Sequence, residues 1–170
     1  KPHRDLREFL AALEQNGRLF RIAREINKDT ELHPLVRWQF RGLREEERKA
    51  FLFENVTDSK GRKYQGSVLV GGLAGSAAIY CLGLRCDAEE VADRWLHAME
   101  HPLEPEMVSS GPVMEEIHKG ADLLTHGGFD EFPIPISTPG FDNGPYITAG
   151  HWITKDPETR KRNVGNYRGM

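Results

Sequence analysis

The sequence predicts a mixed α/β fold, with helices and short strands first and a strand-rich segment afterwards. Apolar residues recur at helical spacing behind capping signals, and short apolar runs lie between those helices. From Pro133 onwards, prolines and glycines predict rigid turns ahead of a hairpin pattern. With 170 residues and 38% hydrophobic content, the chain is long enough to bury one core and begin a second.

The first helix is predicted immediately after Asp5. Asp5 and Glu8 have the spacing of a capping box, and Gly17 can close the C-terminus of the helix. Residues 18–22 then alternate enough between apolar and polar to form a strand. The apolar side chains of the helix fall on one face: Leu6, Phe9, Leu10 and Leu13.

A second helical segment is predicted behind Thr30, which has the side chain of a typical N-cap. Pro34 is tolerable in the first turn of such a helix, where its missing N–H costs nothing. Residues 44–49 are dense in charge and predict a solvated helix end or loop. The apolar residues of this helix are Leu35, Val36 and Trp38.

Two short apolar runs, residues 50–53 and 67–71, predict a hairpin or two neighbouring strands. They flank the polar, glycine-containing stretch 58–66, which has the composition of a turn. Residues 76–82 predict a short helix after the second strand. Strands and helices therefore alternate through this part of the chain, as a mixed α/β layer requires.

A further helix is predicted by a second capping-box pair, Asp87 and Glu90. Pro102 and Pro105 end this helix, and the periodicity is weak over residues 104–130, which predicts a crossing segment between subdomains. We therefore expect an N-terminal domain over residues 1–130 and the start of a second domain over residues 131–170. The helix carries its apolar residues at helical spacing: Val91, Trp95, Leu96 and Met99.

Composition excludes several classes of partner. Charged residues make up 29% of the chain and the net charge is −3, so no broad basic surface is available for nucleic acid. No run approaches the roughly 18–20 apolar residues that span a bilayer, and residues 1–5 lack the apolar core of a secretory signal. We expect a cytoplasmic protein without a membrane span.

Three motifs that could indicate a metal or phosphate site are better explained by structural roles. Cys81 and Cys86 lack a second Cys or His pair for zinc, so we expect reduced, partly buried thiols. The glycine-rich stretch 71–76 has neither a P-loop ending nor dinucleotide-fingerprint spacing, which favours a tight strand-to-helix connection. His97 and His101 are four residues apart, but without the Glu-x-x pattern of a zincin they are more typical of a helix surface.

Other titratable residues show no pattern that indicates a site. Three carboxylates near the proline-rich approach are interpreted as loop surface: Asp130, Glu131 and Asp142. Five histidines show no ligand spacing with one another: His3, His33, His118, His126 and His151.

The hairpin predicted at residues 146–168 carries the most informative residues. Residues 146–154 form the first predicted strand, a turn follows at 156–158, and residues 162–168 return. The returning strand has Asn163, Gly165 and Asn166 where β-branched residues would be expected. An amide oxygen, a closely approachable backbone and a terminal guanidinium suit an anionic ligand or a metal-bridged phosphate, although a solvated edge hairpin explains the same composition.

Strand alternation limits how this hairpin can build one site. Asn163 and Arg168 share a face only if the strand bends or bulges near Gly165. Strict alternation would otherwise put Asn163, Gly165 and Tyr167 on one face and Val164, Asn166 and Arg168 on the other.

Three blocks of sequence carry a family resemblance: DLREFL with GRL at 5–10 and 17–19, FPIP with GPYITAG at 132–135 and 144–150, and ITKDPET with RNVGNYR at 153–159 and 162–168. Together they resemble the UbiD-like decarboxylases, which use prenylated FMN. The resemblance covers only the leading part of a family member, and it implies that the second domain is the start of a split β-barrel that binds flavin.

The resemblance also implies roles for single residues. Asn163 matches the ligand of a divalent cation, usually Mn²⁺, that ties the cofactor phosphate to the protein, and K⁺ is an additional candidate ion. Arg168 matches the catalytic arginine, which orients the substrate carboxylate and pairs with an acidic proton donor. The residues that match the cofactor-binding set are Thr148, Asn163, Val164, Gly165, Asn166, Tyr167 and Arg168.

The activity implied is a non-oxidative, reversible decarboxylation of aromatic or α,β-unsaturated carboxylic acids, with hydroxybenzoate-type acids favoured by Asn-Val-Gly-Asn-Tyr-Arg. The implied partners are a flavin prenyltransferase that supplies the cofactor, and further copies of the chain or a chain that carries the rest of the enzyme. Because the second metal-binding segment and the acidic donor lie beyond these residues in the family, we expect this segment to be inactive alone. Two alternatives are a non-catalytic scaffold subunit and a cofactor-carrying module.

Overall fold

The computed structural model describes residues 2–170 and confirms the mixed α/β class. Within this range there are five α-helices and six strands, and both sheets are small and open. The helices are α1 (Leu6–Gln15), α2 (Leu32–Gly42), α3 (Ala77–Leu84), α4 (Val91–Glu100) and α5 (Ala121–His126). The strands are β1 (Leu19–Asn27), β2 (Ala50–Thr57), β3 (Lys63–Tyr64), β4 (Val68–Val70), β5 (His151–Lys155) and β6 (Arg162–Asn166).

The chain divides into two compact units that each use several stretches of sequence. Unit 1 holds the residues up to Phe20, together with Arg44–Phe51 and Gly71–Glu131. Unit 2 holds Arg21–Leu43, Leu52–Val70 and Phe132–Met170. No helix in residues 2–170 has the length and apolar content needed to cross a membrane.

In unit 1, α1 packs against α3 through an apolar face. The predicted cap is present, because Oδ1 of Asp5 accepts a hydrogen bond of 2.9 Å from the backbone N–H of Glu8. Phe9 and Leu13 of α1 are buried, as is Ile79 of α3. The ring of Phe9 lies over Gly83, where an added Cβ would be 3.8 Å from the ring. Burial of these side chains stabilises the helix pair, since each is worth about 1.5–3 kcal/mol.

The connection into and out of α3 is set by local backbone geometry. The stretch 71–76 is a tight turn, as predicted: Gly71 has φ +74° and its carbonyl accepts from the N–H of Gly75 at 3.1 Å. The helix ends at Arg85 in the left-handed region, and the N–H of Cys86 donates to the carbonyl of Cys81 at 3.2 Å. Together with Arg85 N–H to the Leu82 carbonyl, this is a Schellman motif. Cys81 and Cys86 are free and half-buried, as expected.

The capping box before α4 is present, but the helix does not bury its apolar side. The backbone N–H of Asp87 donates to Glu90 at 3.1 Å, and the box opens a 3-10 turn that continues into α4. Trp95 and Met99 are nevertheless 50% and 75% exposed, and no residue of α4 is buried. The crossing segment predicted over residues 104–130 contains α5 and two short 3-10 turns in addition to irregular chain.

The main sheet has β2 at its centre. β1, β3 and β4 all pair with β2, and the β2–β3 ladder is antiparallel with Val56 opposite Tyr64. β1 and β2 are both longer than the sequence predicted, because ladder hydrogen bonds extend strands past their apolar runs. The buried side chains of unit 2 come from these strands and from α2: Ile22, Ile26, Leu32, Val36, Leu52, Phe53 and Val56.

The prediction that Thr30 caps α2 is wrong. The helix begins at Leu32, and Glu31 precedes it without a side-chain cap. The side chain of Asn27 organises this turn instead, since its Oδ1 accepts from the N–H groups of Asp29 and Thr30 at 2.9 and 3.2 Å. This Asx turn satisfies two backbone donors in the turn that leads from β1 into α2. Trp38 of α2 is 76% exposed and takes no part in the core.

Candidate functional site

The β5–β6 hairpin and its flanks in unit 2 carry the predicted site residues: Asn163, Val164, Gly165 and Asn166 lie on β6, Thr148 precedes β5, and Tyr167 and Arg168 follow β6. Five residue pairs are in register, from Lys155 opposite Arg162 to His151 opposite Asn166. Asn163 lies opposite Thr154 in this ladder. The turn is fixed by Asp156, whose Oδ1 accepts from the N–H groups of Glu158 and Thr159, and these hydrogen bonds, chiefly those of Thr159, lower the pKa of Asp156.

A β-bulge lies just beyond this ladder, beside Arg168. The N–H of Tyr167 donates to the carbonyl of Gly150 at 3.3 Å, which continues the register of the hairpin. The next pairing is Ile147 with Gly169, joined by hydrogen bonds of 2.8 and 3.1 Å in both directions. Thr148 and Ala149 therefore lie opposite Arg168 alone. Two residues opposite one is the defining count of a bulge, and bulges re-aim side chains next to active sites.

The bulge corrects two details of the sequence prediction. The expected strand of residues 162–168 is shorter, since β6 ends at Asn166, and β5 begins only at His151. Sequence alternation left open whether the hairpin bulges near Gly165; a bulge is present, and its extra residue lies on the Thr148 side of the hairpin. The reason is non-local, because register is set by pairing between strands and not by the composition of either one.

Two aromatic rings pack around the bulge. Nε1 of Trp152 donates a hydrogen bond of 3.0 Å to the carbonyl oxygen of Tyr167. The Trp152 indole also lies against Gly169, where an added Cβ would be 3.1 Å from the ring. The ring of Tyr167 covers Gly165, where a Cβ would be 2.1 Å from Cε2. Both glycines therefore permit a close ring-to-backbone contact that a larger residue would disturb.

The polar side chains of the hairpin are available for binding. Thr148, Asn163, Asn166 and Arg168 are all exposed. In residues 2–170, none of these four side chains is joined to another group by a hydrogen bond or ion pair. The hairpin thus brings the predicted residues onto one element but does not connect them to each other, so their donors and acceptors are open to a ligand.

The segment that leads to the hairpin is held by helix α2 within unit 2. A terminal nitrogen of the Arg37 guanidinium donates to the carbonyl of Ser137 at 2.9 Å and to Oγ1 of Thr138 at 3.2 Å. Oδ2 of Asp142 accepts from the N–H of Thr138 at 2.6 Å. Asp142 lies in a loop and is half-buried, and Asp130 and Glu131 are exposed as expected. Burial and the nearby Arg37 lower the pKa of His33, which Asp142 partly opposes.

Two histidine pairs lie in unit 1. The rings of His97 and His101 stack with their centroids 4.2 Å apart, near the end of α4. The rings of His118 and His126 stack at 3.7 Å, with Asp122 hydrogen-bonded to His118 at 2.9 Å. The sequence interpretation missed the second group because it compared histidines only with one another. The signal was Asp122, midway between the two and four residues from each.

A cleft of about 720 Å³ also lies in unit 1, beside α1 and α3. Its lining includes His3, Arg18, Cys81 and Arg85. Burial is the main factor that raises the pKa of Cys81, which keeps the thiol protonated. None of the predicted site residues lines this cleft.

Comparison with known protein families defines the class to which this fold and hairpin belong. The model of the 3-octaprenyl-4-hydroxybenzoate carboxy-lyase N-terminal domain matches residues 10–99. The model of the carboxy-lyase Rift-related domain matches residues 106–170, which include the bulged hairpin. The chain therefore belongs to the UbiD family of decarboxylases, as the sequence blocks predicted.

Solved structures give the same assignment. The UbiD-class enzyme HmfF from Pelotomaculum thermopropionicum, in complex with FMN, is 29% identical with a TM-score of 0.73 over 96% of this chain and 33% of its own. Its evolved dimeric form with prFMN is 29% identical with a TM-score of 0.75, and the match covers 98% of this chain and 35% of that one. Vanillic acid decarboxylase (ShVdcCD) from Sedimentibacter hydroxybenzoicus, in open form with truncated ShVdcD, is 28% identical with a TM-score of 0.77. That match covers 99% of this chain and 36% of that one. The chain spans about a third of the length of these relatives.

Proposed function

We propose that this chain supplies the N-terminal domain and the first cofactor-binding strands of a decarboxylase for aromatic or α,β-unsaturated carboxylic acids. Its family consists of carboxy-lyases, and similar solved enzymes hold FMN or prFMN. In this proposal residues 1–130 form the N-terminal domain and residues 131–170 open the flavin-binding barrel. The observation that carries the proposal is the β-bulge that sets Thr148 and Ala149 opposite Arg168.

The donor set of the hairpin fits a metal-bridged flavin phosphate. The amide oxygen of Asn163 is the kind of hard ligand that Mn²⁺ or a similar divalent cation takes, and K⁺ accepts the same oxygen donors. Asn163 is exposed and has no side-chain partner in residues 2–170. Asn163 would hold the metal, and the cofactor would be lined by Thr148, Val164, Gly165, Asn166, Tyr167 and Arg168.

Arg168 is the proposed catalytic residue. A guanidinium keeps its positive charge at any physiological pH and can grip a carboxylate through two parallel hydrogen bonds. Arg168 is exposed, and no ion pair within residues 2–170 competes for it. It would orient the substrate carboxylate and pair with the acidic proton donor. When bound, prenylated FMN supplies the electron sink for the electron pair left as carbon dioxide departs.

Hydroxybenzoate-type acids are the proposed substrates, and the reaction would be reversible. The matching family models are named for 3-octaprenyl-4-hydroxybenzoate carboxy-lyase, and one similar structure is a vanillic acid decarboxylase. Both names denote phenolic acids with a carboxylate on the ring. In this proposal Arg168 binds that carboxylate, and the rest of the chain forms the N-terminal domain and the first strands of the barrel.

The site would be completed by residues outside this segment, so the segment alone would not turn over substrate. The chain spans about a third of its solved relatives. Those relatives include a dimeric form and a two-component decarboxylase, which supports a homo-oligomer or association with another chain. A flavin prenyltransferase would supply the cofactor in the cytoplasm.

The test is decarboxylation by the purified polypeptide that carries this segment, co-expressed with a flavin prenyltransferase. Carbon dioxide release from 4-hydroxybenzoate and from cinnamate would be measured for the native protein, Arg168→Ala and the control Arg160→Ala. Arg160 is exposed at the hairpin turn, away from the bulge. Loss of activity only in Arg168→Ala supports the proposal. Equal activity in all three, or a protein that purifies with a larger enzyme whose activity ignores Arg168, favours a scaffold subunit.

A further inference from the structure

A cluster of metal-ligating side chains lies in unit 1, around α5. One ligand atom from each of His118, Asp122 and His126 lies within 4.8 Å of the other two. Nδ1 of His118 is 2.9 Å from Oδ2 of Asp122, and Nε2 of His126 is 3.7 Å from Oδ1. The carboxylate therefore faces both imidazoles at once. It is the one such group of three among His, Cys, Asp and Glu in residues 2–170.

The backbone builds this cluster from a turn and a helix. Asp122 and His126 are four residues apart on α5, so they share one helical face. His118 precedes the helix and is brought over the same face by Gly120, whose backbone has φ 58° and ψ −126°. A Cβ at Gly120 would meet nothing within 4 Å, so glycine is needed there for its backbone conformation and not for space.

The donor set selects the class of ion. Two imidazole nitrogens and one carboxylate oxygen are the ligands of zinc and its transition-metal neighbours, whereas Mn²⁺ and Mg²⁺ favour oxygen donors. Bonds of about 2.0–2.1 Å in a tetrahedral site place ligand atoms roughly 3.4 Å apart. The hydrogen-bonded pair of His118 and Asp122, 2.9 Å apart, would open slightly as the ion replaced the shared proton, and rotation of the exposed His126 side chain would bring its nitrogen from 3.7 Å into range.

We infer that His118, Asp122 and His126 form a binding site for a divalent transition-metal ion of the zinc class, with a fourth position open to water. The surroundings favour a cation, since the charges of Glu116 and Glu131 also act on His118. A bound ion would tie the turn before α5 to the helix. This site is independent of Asn163 and of the proposed flavin chemistry.

The test is isothermal titration of the purified chain, without a polyhistidine tag, with Zn²⁺ alone. A second measurement uses Co²⁺, whose visible absorption reports the coordination number. The structure predicts that one Zn²⁺ binds to this cluster and that Co²⁺ bound there gives tetrahedral absorption bands. His126→Asn should weaken Zn²⁺ binding about 10-fold or more, because the loss of even an outer-shell partner of a metal lowers affinity by about that factor. His97→Asn is the matched control, since His97 belongs to the other stacked pair.

A glycine pair tests the geometry without removing a ligand. Gly120→Ala keeps all three side chains but disfavours the positive φ, so it should also weaken Zn²⁺ binding. Gly111→Ala should not, because Gly111 has an extended backbone and open space around its Cα. Far-UV circular dichroism would confirm that each variant is folded. Absence of binding, binding unaffected by His126→Asn, or binding lost in His97→Asn would overturn the inference.

Discussion

The indole Nε1 of Trp152 donates a hydrogen bond to the carbonyl oxygen of Tyr167, 3.0 Å away, and so joins β5 to the residue that precedes Arg168. This bond spans the hairpin where the regular ladder stops and the bulge begins. The main chain beside Arg168 is therefore held by a side chain as well as by strand pairing. A ligand that approaches Arg168 meets a backbone whose position is already fixed on one side.

Trp152→Phe should loosen the bulge. The loss of this hydrogen bond is expected to lower the free energy of unfolding by about 0.5–1.5 kcal/mol, which denaturant titration measures. The amide protons of Tyr167 and Gly169 should also exchange faster. Trp38→Phe is the control, because Trp38 is 76% exposed and has no hydrogen bond within residues 2–170. An equal effect of both substitutions would contradict this role of Trp152.

Gly165→Ala should displace the ring of Tyr167. The new Cβ would lie 2.1 Å from Cε2, and the ring, 59% exposed, is free to rotate away. We expect the free energy of unfolding to change by less than about 1 kcal/mol, while the ring resonances of Tyr167 shift and flavin retention falls. Gly144→Ala is the control, since its Cβ would make an ordinary contact of 3.7 Å with Met170. Unshifted Tyr167 resonances would contradict the observed packing.

Asn27→Ala should destabilise the entry to α2, and Thr30→Ala should not. Asn27 accepts two backbone hydrogen bonds, from Asp29 and Thr30, while no cap is made by the Thr30 side chain. Loss of a side-chain hydrogen bond to the backbone typically costs about 1 kcal/mol. Thermal or denaturant unfolding of the two variants measures the difference. A larger loss in Thr30→Ala would restore the original prediction of a threonine cap.

Glu8 should make stability depend on pH in the acid range. Hydrogen bonds from the backbone and side chain of Arg4, and then the Arg85 guanidinium, lower the pKa of Glu8 from 4.5 to about 2. Because the folded pKa lies below the unfolded value, this contribution to stability is present above about pH 4.5 and is lost as pH falls towards 2. Glu8→Gln should reduce the dependence of the free energy of unfolding on pH between about 4.5 and 2, which denaturant titration at each pH measures. Glu100→Gln, a carboxylate exposed on α4, should leave the profile unchanged.

Local signals predicted α1 and α4, but they did not predict α5. The caps at Asp5 and Asp87 are made between side chains and backbone groups only three residues apart, so the sequence alone indicates them. The length of β1 was underestimated because its second half, up to Asn27, contains charged and exposed residues. Only pairing with β2 makes that half a strand.

The choice of site residues stays a prediction, and the local geometry around them could not be predicted from the sequence. The resemblance indicated Asn163 and Arg168, and the family match supports that choice of segment. The bulge beside Arg168 depends on the pairing of Ile147 with Gly169, which are far apart in sequence, so no local pattern reveals it. The imidazole and carboxylate group around α5 was missed for a different reason, because only the spacing between histidines was considered and Asp122, four residues from each, was left out.

The central claim is that this hairpin holds a metal-bridged flavin, and cofactor retention tests it most directly. The polypeptide that carries this segment would be co-expressed with a flavin prenyltransferase and weighed by native mass spectrometry, with Mn content measured in parallel. We predict flavin and Mn²⁺ in the native protein and in Asn143→Ala, an exposed asparagine before the hairpin, and loss of both in Asn163→Ala. Full retention of flavin and metal in Asn163→Ala would contradict the account.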